Sequence, residues 1–302
     1  MTPLIPPKIN TAALDPDLFK SYWHLLKPRV MVLSIFTALI GMVAASHAGL
    51  SSLNGIALIL IAMGAGGAAA LNMSLEPHID TMMKRTQERP IPAGLVSANE
   101  AFMLGMLLSI SAVFLMALLI GYMPAFLLGL TILFYGYFYT LILKPNTPYN
   151  IVWGGISGAL PPVIGWFCIT EQVSWIPLYL FGLIFLWTLP HFWALAIQFK
   201  TDYQNANIPM LPSTHGIPHT KNQIYLYSWI TAIFGALPYV LAPQGWILSA
   251  IALYLAVKLI HMSHQLKAEK ISPMSLFKYS ILYLFAMHLL LVVYLKIDFQ
   301  GI

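Results

Sequence analysis

Between Ala101 and Leu143 no side chain carries a formal charge. A helix rising about 1.5 Å per residue needs about 20 residues to cross the hydrocarbon of a bilayer, so this stretch is long enough for two crossings. Gly121-Tyr122-Met123-Pro124 supplies a turn between them. Counting every apolar run of similar length gives nine expected spans, at 30–47, 54–75, 101–120, 124–143, 151–169, 174–197, 225–241, 245–262 and 279–297. The seventh and eighth are joined by Ala242-Pro243-Gln244-Gly245. The expected fold class is all-α, a polytopic membrane bundle of nine transmembrane helices forming one domain over residues 1–302.

Composition agrees with the bilayer as solvent. Hydrophobic residues make up 59% and charged residues 8% of the chain, where soluble globular proteins carry about 25% charged residues. Fifteen Lys and Arg with ten Asp and Glu cannot cover a soluble fold of 302 residues. That excludes a soluble enzyme, a disordered chain and a coiled coil. The formal +5 is spread too thinly for a nucleic-acid surface. The single cysteine, Cys168, cannot form an intrachain disulfide and matches no metal-ligand spacing.

The cations orient the bundle. With nine spans, one side of the membrane holds Lys8, Lys20, Lys27, Arg29, Lys84, Arg85, Arg89, Lys144, Lys200, Lys221, Lys258, Lys267, Lys270 and Lys278, and the other holds only Lys296. The positive-inside rule then puts the N-terminus in the cytoplasm and the C-terminus on the opposite side. The first 29 residues, with Pro3, Pro6, Pro7 and Pro16, read as a polar cytoplasmic tail with neither a signal-peptide core nor transit-peptide composition. Ala45-Ser46-His47-Ala48 loosely resembles a cleavage site, but eight further spans argue for an uncleaved first span. A bacterial cytoplasmic (inner) membrane is the expected location.

Charges are costly in such a chain, so those kept at a membrane edge are candidates for function. Asp15 and Asp17 lie in the tail, Glu171 in an outer turn, Glu269 in a basic loop and Asp298 at the C-terminus. Glu76, Asp80, Glu88, Glu100 and Asp202 gather instead in or beside the cytoplasmic loops after the second and sixth spans. Asn72, Glu76 and Asp80 are four residues apart, which on a continuous helix places them on one face. An amide oxygen and two carboxylates are hard ligands that, with phosphate oxygens and water, suit Mg²⁺. Lys84, Arg85 and Arg89 follow at once and can pair with phosphate charge. The same residues also fit a helix end with an Asp80–Lys84 pair and ordinary positive-inside bases. Pro77 breaks the helical ladder and biases Glu76 away from helix, so the cluster is expected to straddle a break.

In the second loop Gln198 and Asp202 are again four apart, with Lys200 between them. Asp202 reads either as a ligand of the same site or as a solvated ion pair with Lys200. His191 follows Pro190 inside a span and is either a hydrogen-bonded core histidine or a ligand, while His215 and His219 lie in the loop. No Ser-His-Asp or Cys-His arrangement stands out, so no protein nucleophile is expected. Tyr135, Tyr139, Trp153, Trp187 and Trp193 are candidates to stabilise a carbocation, or simply packing and interface residues.

These loops resemble the intramembrane aromatic prenyltransferase superfamily. The resemblance rests first on Asn72-x3-Glu76-x3-Asp80-x2-Met83-x-Arg85-Thr86-x2-Arg89-Pro90 with Ile91-Pro92-x-Gly94 after it. Its second part is Pro190-His191-Phe192-Trp193-Ala194-Leu195 followed by Asp202-Tyr203 and Ile208-Pro209-Met210-Leu211-Pro212. The third is the run from Asn150-Ile151-Val152 through Pro161-Pro162 to Ile164-Gly165-Trp166. The second part is similar to the heme O synthase (protoheme IX farnesyltransferase) branch. The resemblance spans about Leu26 to Gly216; the last three spans match only in hydropathy.

The resemblance implies a central cavity facing the cytoplasmic loops and the lipid. It implies farnesyl diphosphate and heme B as substrates, heme O and diphosphate as products, and Mg²⁺ as cofactor. It assigns Asn72, Glu76, Asp80 and Asp202 to catalysis and metal binding, and Lys84, Arg85, Arg89, Lys144 and Lys200 to the diphosphate. His191 and Trp193 become the heme-binding candidates. Contact with heme A synthase or terminal oxidase assembly is an implied partnership. Where relatives often place a second aspartate four residues after Asp202, this chain has Ala206, which argues against a complete second metal site. The alternatives are a prenyltransferase acting on another aromatic or tetrapyrrole acceptor, and a transporter or assembly factor. A transporter would place its charges nearer mid-membrane.

Overall fold

The structure is a computed structural model and describes residues 16–46, 49–241 and 246–298. The expected tail residues before Pro16, His47 and Ala48 of the cleavage-like motif, the turn 242–245 and the C-terminal residues from 299 lie outside the described residues.

Among the described residues the chain is all helical, and eight helices are long and apolar enough to cross a membrane. They are α2 (Pro28–Ala45), α3 (Ser52–Leu75), α5 (Ala98–Leu119), the continuous helix Tyr122–Asn146, α10 (Trp175–Gln198), α13 (Ile217–Leu241), α14 (Trp246–Lys267) and α15 (Pro273–Asp298). The helix Tyr122–Asn146 comprises α6 (Tyr122–Leu133), a π-helical stretch (Phe134–Leu143) and the short α7 (Lys144–Asn146). Short helices complete the set: α1 (Pro16–Leu25), α4 (Pro77–Met82), α8 (Asn150–Ala159), α9 (Pro161–Phe167), α11 (Lys200–Asn205) and α12 (Leu211–Thr214).

Two expectations need correction. The fifth span, read as one helix over 151–169, is α8 and α9 meeting at Leu160. Pro161 and Pro162 supply no backbone N–H to carry the ladder across that joint. The first 29 residues are not simply a tail. Helix α1 packs Leu25, fully buried, with Ala70, Met73, Val96 and Ala101. Its Leu18, Phe19 and Trp23 stay exposed, the pattern of a helix lying in the membrane interface.

Close helix approach holds the bundle together. A Cβ added to Gly41 of α2 would overlap the carbonyl oxygen of Pro162, and one added to Gly165 of α9 would overlap that of Ala38. Small residues therefore let these two backbones touch, the usual route to helix association in lipid. Gly67 of α3 and Gly105 of α5 do the same for their pair. The largest core cluster surrounds α10 and takes residues from α13, α14 and α15. At one end of the bundle Lys296 of α15 donates to the carbonyl of Ser46 at 3.1 Å, just past the end of α2. Lys27, at the start of α2, marks the other end, where the charged side chains gather.

Candidate active site

The site begins where α3 stops. Leu75 ends the helix because Pro77 cannot extend the ladder, and Glu76 takes φ −131° and ψ 37° between α3 and α4. Asn72, Glu76 and Asp80 therefore do not share one regular helix face; they line a helix break, as Pro77 predicts. All three are buried, each only 2% exposed.

Each buried acid has a cationic partner. Lys144 reaches both oxygens of Glu76 at 2.6 Å. Arg89 Nη1 donates to both oxygens of Asp80 at 2.7 and 2.8 Å. The local sequence explains the second pair. Thr86, buried, donates to the Asp80 carbonyl at 2.9 Å, and that bond with the following turns folds the loop so that Arg89 returns over α4. Asp80 consequently does not pair with Lys84, which is exposed.

Asn72 is held from two sides. Its Nδ2 donates to Thr140 Oγ1 at 2.9 Å, and its Oδ1 accepts from Lys27 Nζ at 2.5 Å. Lys27 occupies the left-handed region at φ 48°, the kink that joins α1 to α2 and aims its side chain inward. Burial, reinforced by Arg89, lowers the Lys27 pKa to about 7 against the pull of Glu76 and Asp80. In the sequence Lys27 reads only as one more cytoplasmic base; nothing local signals that the fold carries it to Asn72.

The π-helical stretch supplies the third wall. Thr140 donates back to the Tyr135 carbonyl five residues earlier at 2.8 Å, while it accepts from Asn72. Tyr135 and Tyr139 stack with centroids 5.6 Å apart and planes 9° from parallel. Lys27 Nζ lies 6.0 Å from the Tyr135 ring centre. Gly154 of α8 leaves room for Tyr139, since a Cβ there would stand 2.8 Å from its ring. π-helical segments are frequent at functional sites, and here the segment puts Thr140 opposite Asn72 and Lys144 opposite Glu76.

The second loop joins through different residues from those expected. Arg85, an exposed residue, has its guanidinium 5.7 Å from the Phe199 ring centre, and burial raises the pKa of the neighbouring Tyr203 hydroxyl. Asp202 is partly exposed, and its carboxylate has no ion pair among the described residues. Lys200, partly buried, likewise has no ion pair among them. Thus Asn72, Glu76, Asp80, Arg89 and Lys144 come together, Arg85 lies against Phe199 of the second loop, and Asp202, Lys84 and Lys200 make no ion pair with that cluster among the described residues.

His191 and Trp193 sit in the core around α10. The His191 ring lies between Trp187 and Phe277, with centroids 4.1 and 4.2 Å away. Its Nδ1 is 2.7 Å from Ser280 Oγ, which itself donates to the Phe277 carbonyl. Ser280 must therefore accept, which places the proton on Nδ1 and leaves Nε2 as an acceptor. Trp193 is 1% exposed, meets Tyr227 edge to face, and keeps an indole N–H with no partner among the described residues. Trp153, another candidate for carbocation contact, is 49% exposed on the bundle surface.

Chemically, three basic side chains (Lys27, Arg89 and Lys144) gather about the two carboxylates and Asn72. That positive surplus suits a polyanion rather than a catalytic acid–base pair. Among the described residues no three His, Cys, Asp or Glu side chains form a self-sufficient metal cage. The donor set, Asn72 Oδ1 with the Glu76 and Asp80 carboxylates, fits an oxygen-seeking ion that takes its remaining ligands from substrate phosphate and water, as Mg²⁺ does.

Known proteins match both the sequence and the fold. The chain is 43% identical over 290 residues to the protoheme IX farnesyltransferase of Erythrobacter litoralis, covering 94% of each protein. It is 41% identical over 290 residues to that of Brucella anthropi, covering 94% of this chain and 93% of the relative. Among solved structures, a digeranylgeranylglyceryl phosphate synthase superposes with a TM-score of 0.74 at 19% identity, over 92% of this chain and 98% of the other. A UbiA homolog from Archaeoglobus fulgidus bound to DMAPP and Mg²⁺ superposes with a TM-score of 0.65 at 15% identity, over 90% of this chain and 99% of the other. The model of the UbiA prenyltransferase family matches residues 34–285. With this match and relatives above 40% identity over nearly the whole chain, the protein belongs to the UbiA prenyltransferase family.

Proposed function

We propose that the protein transfers the farnesyl group of farnesyl diphosphate to a vinyl group of heme B, giving heme O and diphosphate. The observation that carries this is the cluster in which Asn72, Glu76 and Asp80 are buried together under Lys27, Arg89 and Lys144. The names of the relatives at 41–43% identity support the donor and the acceptor.

Mg²⁺ would be held by Asn72, Glu76 and Asp80, where it would supply Lewis-acid neutralisation of diphosphate charge. Lys27, Arg85, Arg89 and Lys144 bind the diphosphate oxygens and stabilise the charge that grows as the allylic C–O bond breaks. The Tyr135–Tyr139 stack offers the developing carbocation π-electron density. The farnesyl C1 bonds to the terminal vinyl carbon of heme, water adds at the adjacent carbon, and one proton leaves. Asp202, free of ion pairs among the described residues, is the carboxylate that the second loop offers. Trp193 N–H and His191 Nε2 are the polar atoms assigned to heme.

On this reading α8 and α9 cross the bilayer as one broken helix, giving nine spans with the N-terminus cytoplasmic, the C-terminus opposite and the site facing the cytoplasm of a bacterial inner membrane. Product passes to heme A synthase or the terminal oxidase assembly. The test is the mass of heme recovered from membranes holding the protein after incubation with heme B, labelled farnesyl diphosphate and Mg²⁺. A heavier, labelled heme is expected; release of diphosphate with another acceptor and none with heme B would overturn the assignment.

A further inference from the structure

Lys144 stands at the end of a long helix, where a lysine is ordinarily free to move, yet it reaches both oxygens of Glu76 at 2.6 Å. What holds the backbone there is Asn150. This side chain is completely buried, at 0% exposed. Its Nδ2 donates to the Thr147 carbonyl at 2.8 Å and lies 3.4 Å from the Lys144 carbonyl. Both carbonyls belong to the end of the helix Tyr122–Asn146 or to the turn after it, where a helix runs out of backbone donors, and the Asn150 backbone N–H adds a bond to the Thr147 carbonyl at 3.2 Å. Asn150 Oδ1 has no hydrogen bond among the described residues. Turning the amide over would set Oδ1 against two carbonyl oxygens, so the orphaned acceptor is the lesser cost. A leucine or alanine here would remove the orphaned acceptor, but it would also take the side-chain donor from both carbonyls and release the helix end.

We infer that Asn150 is a positioning residue: by capping the turn after Lys144 it fixes that ammonium over Glu76 and so sets the affinity for the diphosphate end of the donor. The inference rests on the reading of Lys144 as a diphosphate ligand. The Glu76 carboxylate and the allylic diphosphate then draw on one prepositioned lysine, and no part of the acceptor site is involved.

The experiment is a double-mutant cycle of Asn150→Leu with Lys144→Met, read by KM for farnesyl diphosphate and by calorimetric binding of inorganic pyrophosphate with Mg²⁺. Asn150→Leu is expected to raise KM and weaken pyrophosphate binding about tenfold, with a smaller change in kcat, as loss of ground-state positioning requires. In the Lys144→Met background the same substitution should change neither constant further. Wild-type constants in Asn150→Leu, or full additivity in the double variant, would overturn the inference. Wild-type protein that binds no pyrophosphate would overturn the reading of the site instead. If Asn150→Leu does not accumulate in membranes, Asn150→Ala, which introduces no added volume, carries the same expectations.

Discussion

Replacing Asp80 by asparagine is the sharpest test of the site, because it removes one charge and almost no volume. Asp80 is 2% exposed and both its oxygens lie 2.7–2.8 Å from Arg89 Nη1. Asparagine keeps one acceptor for that guanidinium and loses the charge. A charge-assisted hydrogen bond contributes about 1.5–3 kcal/mol, so part of that is lost from the Arg89 contact. Alanine would leave the arginine without any partner at Asp80; breaking a fully buried pair in that way costs about 3–5 kcal/mol, and the 23% exposure of the Arg89 side chain brings the cost below that range. Asp80→Asn should therefore insert and fold while Asp80→Ala is visibly less stable. Turnover should respond in a different order. Removing one preorganised group that acts on developing charge costs about 10²–10³ in kcat, and both variants should fall by at least that factor. The assay is labelled heme formed per folded protein across a Mg²⁺ titration. Asp80→Asn should also require more Mg²⁺ for half-maximal rate. Near wild-type turnover with an unchanged Mg²⁺ dependence would refute the assignment of Asp80 to the metal.

The other expectations concern separate parts of the molecule. Gly154→Ala puts a methyl group 2.8 Å from the Tyr139 ring; it should lower turnover several-fold while thermal stability falls by about 1–3 kcal/mol, and equal turnover would dissociate Tyr139 from the reaction. Gly41→Val drives a side chain into the Pro162 carbonyl, so α2 and α9 must separate, and melting in detergent should fall more than for Gly154→Ala. His191→Gln keeps a hydrogen-bonding side chain beside Ser280 but loses the stacked ring between Trp187 and Phe277; heme affinity, read by absorbance titration, should drop while pyrophosphate binding holds, and unchanged heme affinity would return His191 to a packing role. Ser97→Ala removes the N-cap of α5, whose hydroxyl accepts from the Glu100 backbone N–H at 3.2 Å. The loss should cost about 0.5–2 kcal/mol, seen as faster hydrogen exchange in the first turn of α5 with turnover unchanged.

Much is legible in the sequence because the bilayer penalises polar atoms so heavily. Spans at 54–75 and 174–197 lie within or beside α3 and α10, since an apolar run of that length has few other stable states in lipid. The same penalty exposes the Asn72–Arg89 loop, and Pro77 announces the break at Glu76. The fifth span reads as continuous because hydropathy ignores backbone hydrogen bonding, which Pro161 and Pro162 interrupt.

Partners are another matter. Spacing along the chain suggests Asp80 with Lys84, four residues on, whereas the folded loop brings Arg89; the Thr86 bond to the Asp80 carbonyl and the turns after it decide that. Lys27 to Asn72, Lys144 to Glu76 and Asn72 to Thr140 cross 45, 68 and 68 residues of chain. Local pattern records what a residue does to its own helix; it carries no record of which helix lies alongside. The solvent, the class of fold, the residues held at the membrane edge and the family they resemble all follow from composition and local pattern. That Lys27 and the π-helical stretch close over the acids follows from packing, because those contacts exist only once α2, α3 and Tyr122–Asn146 have come together.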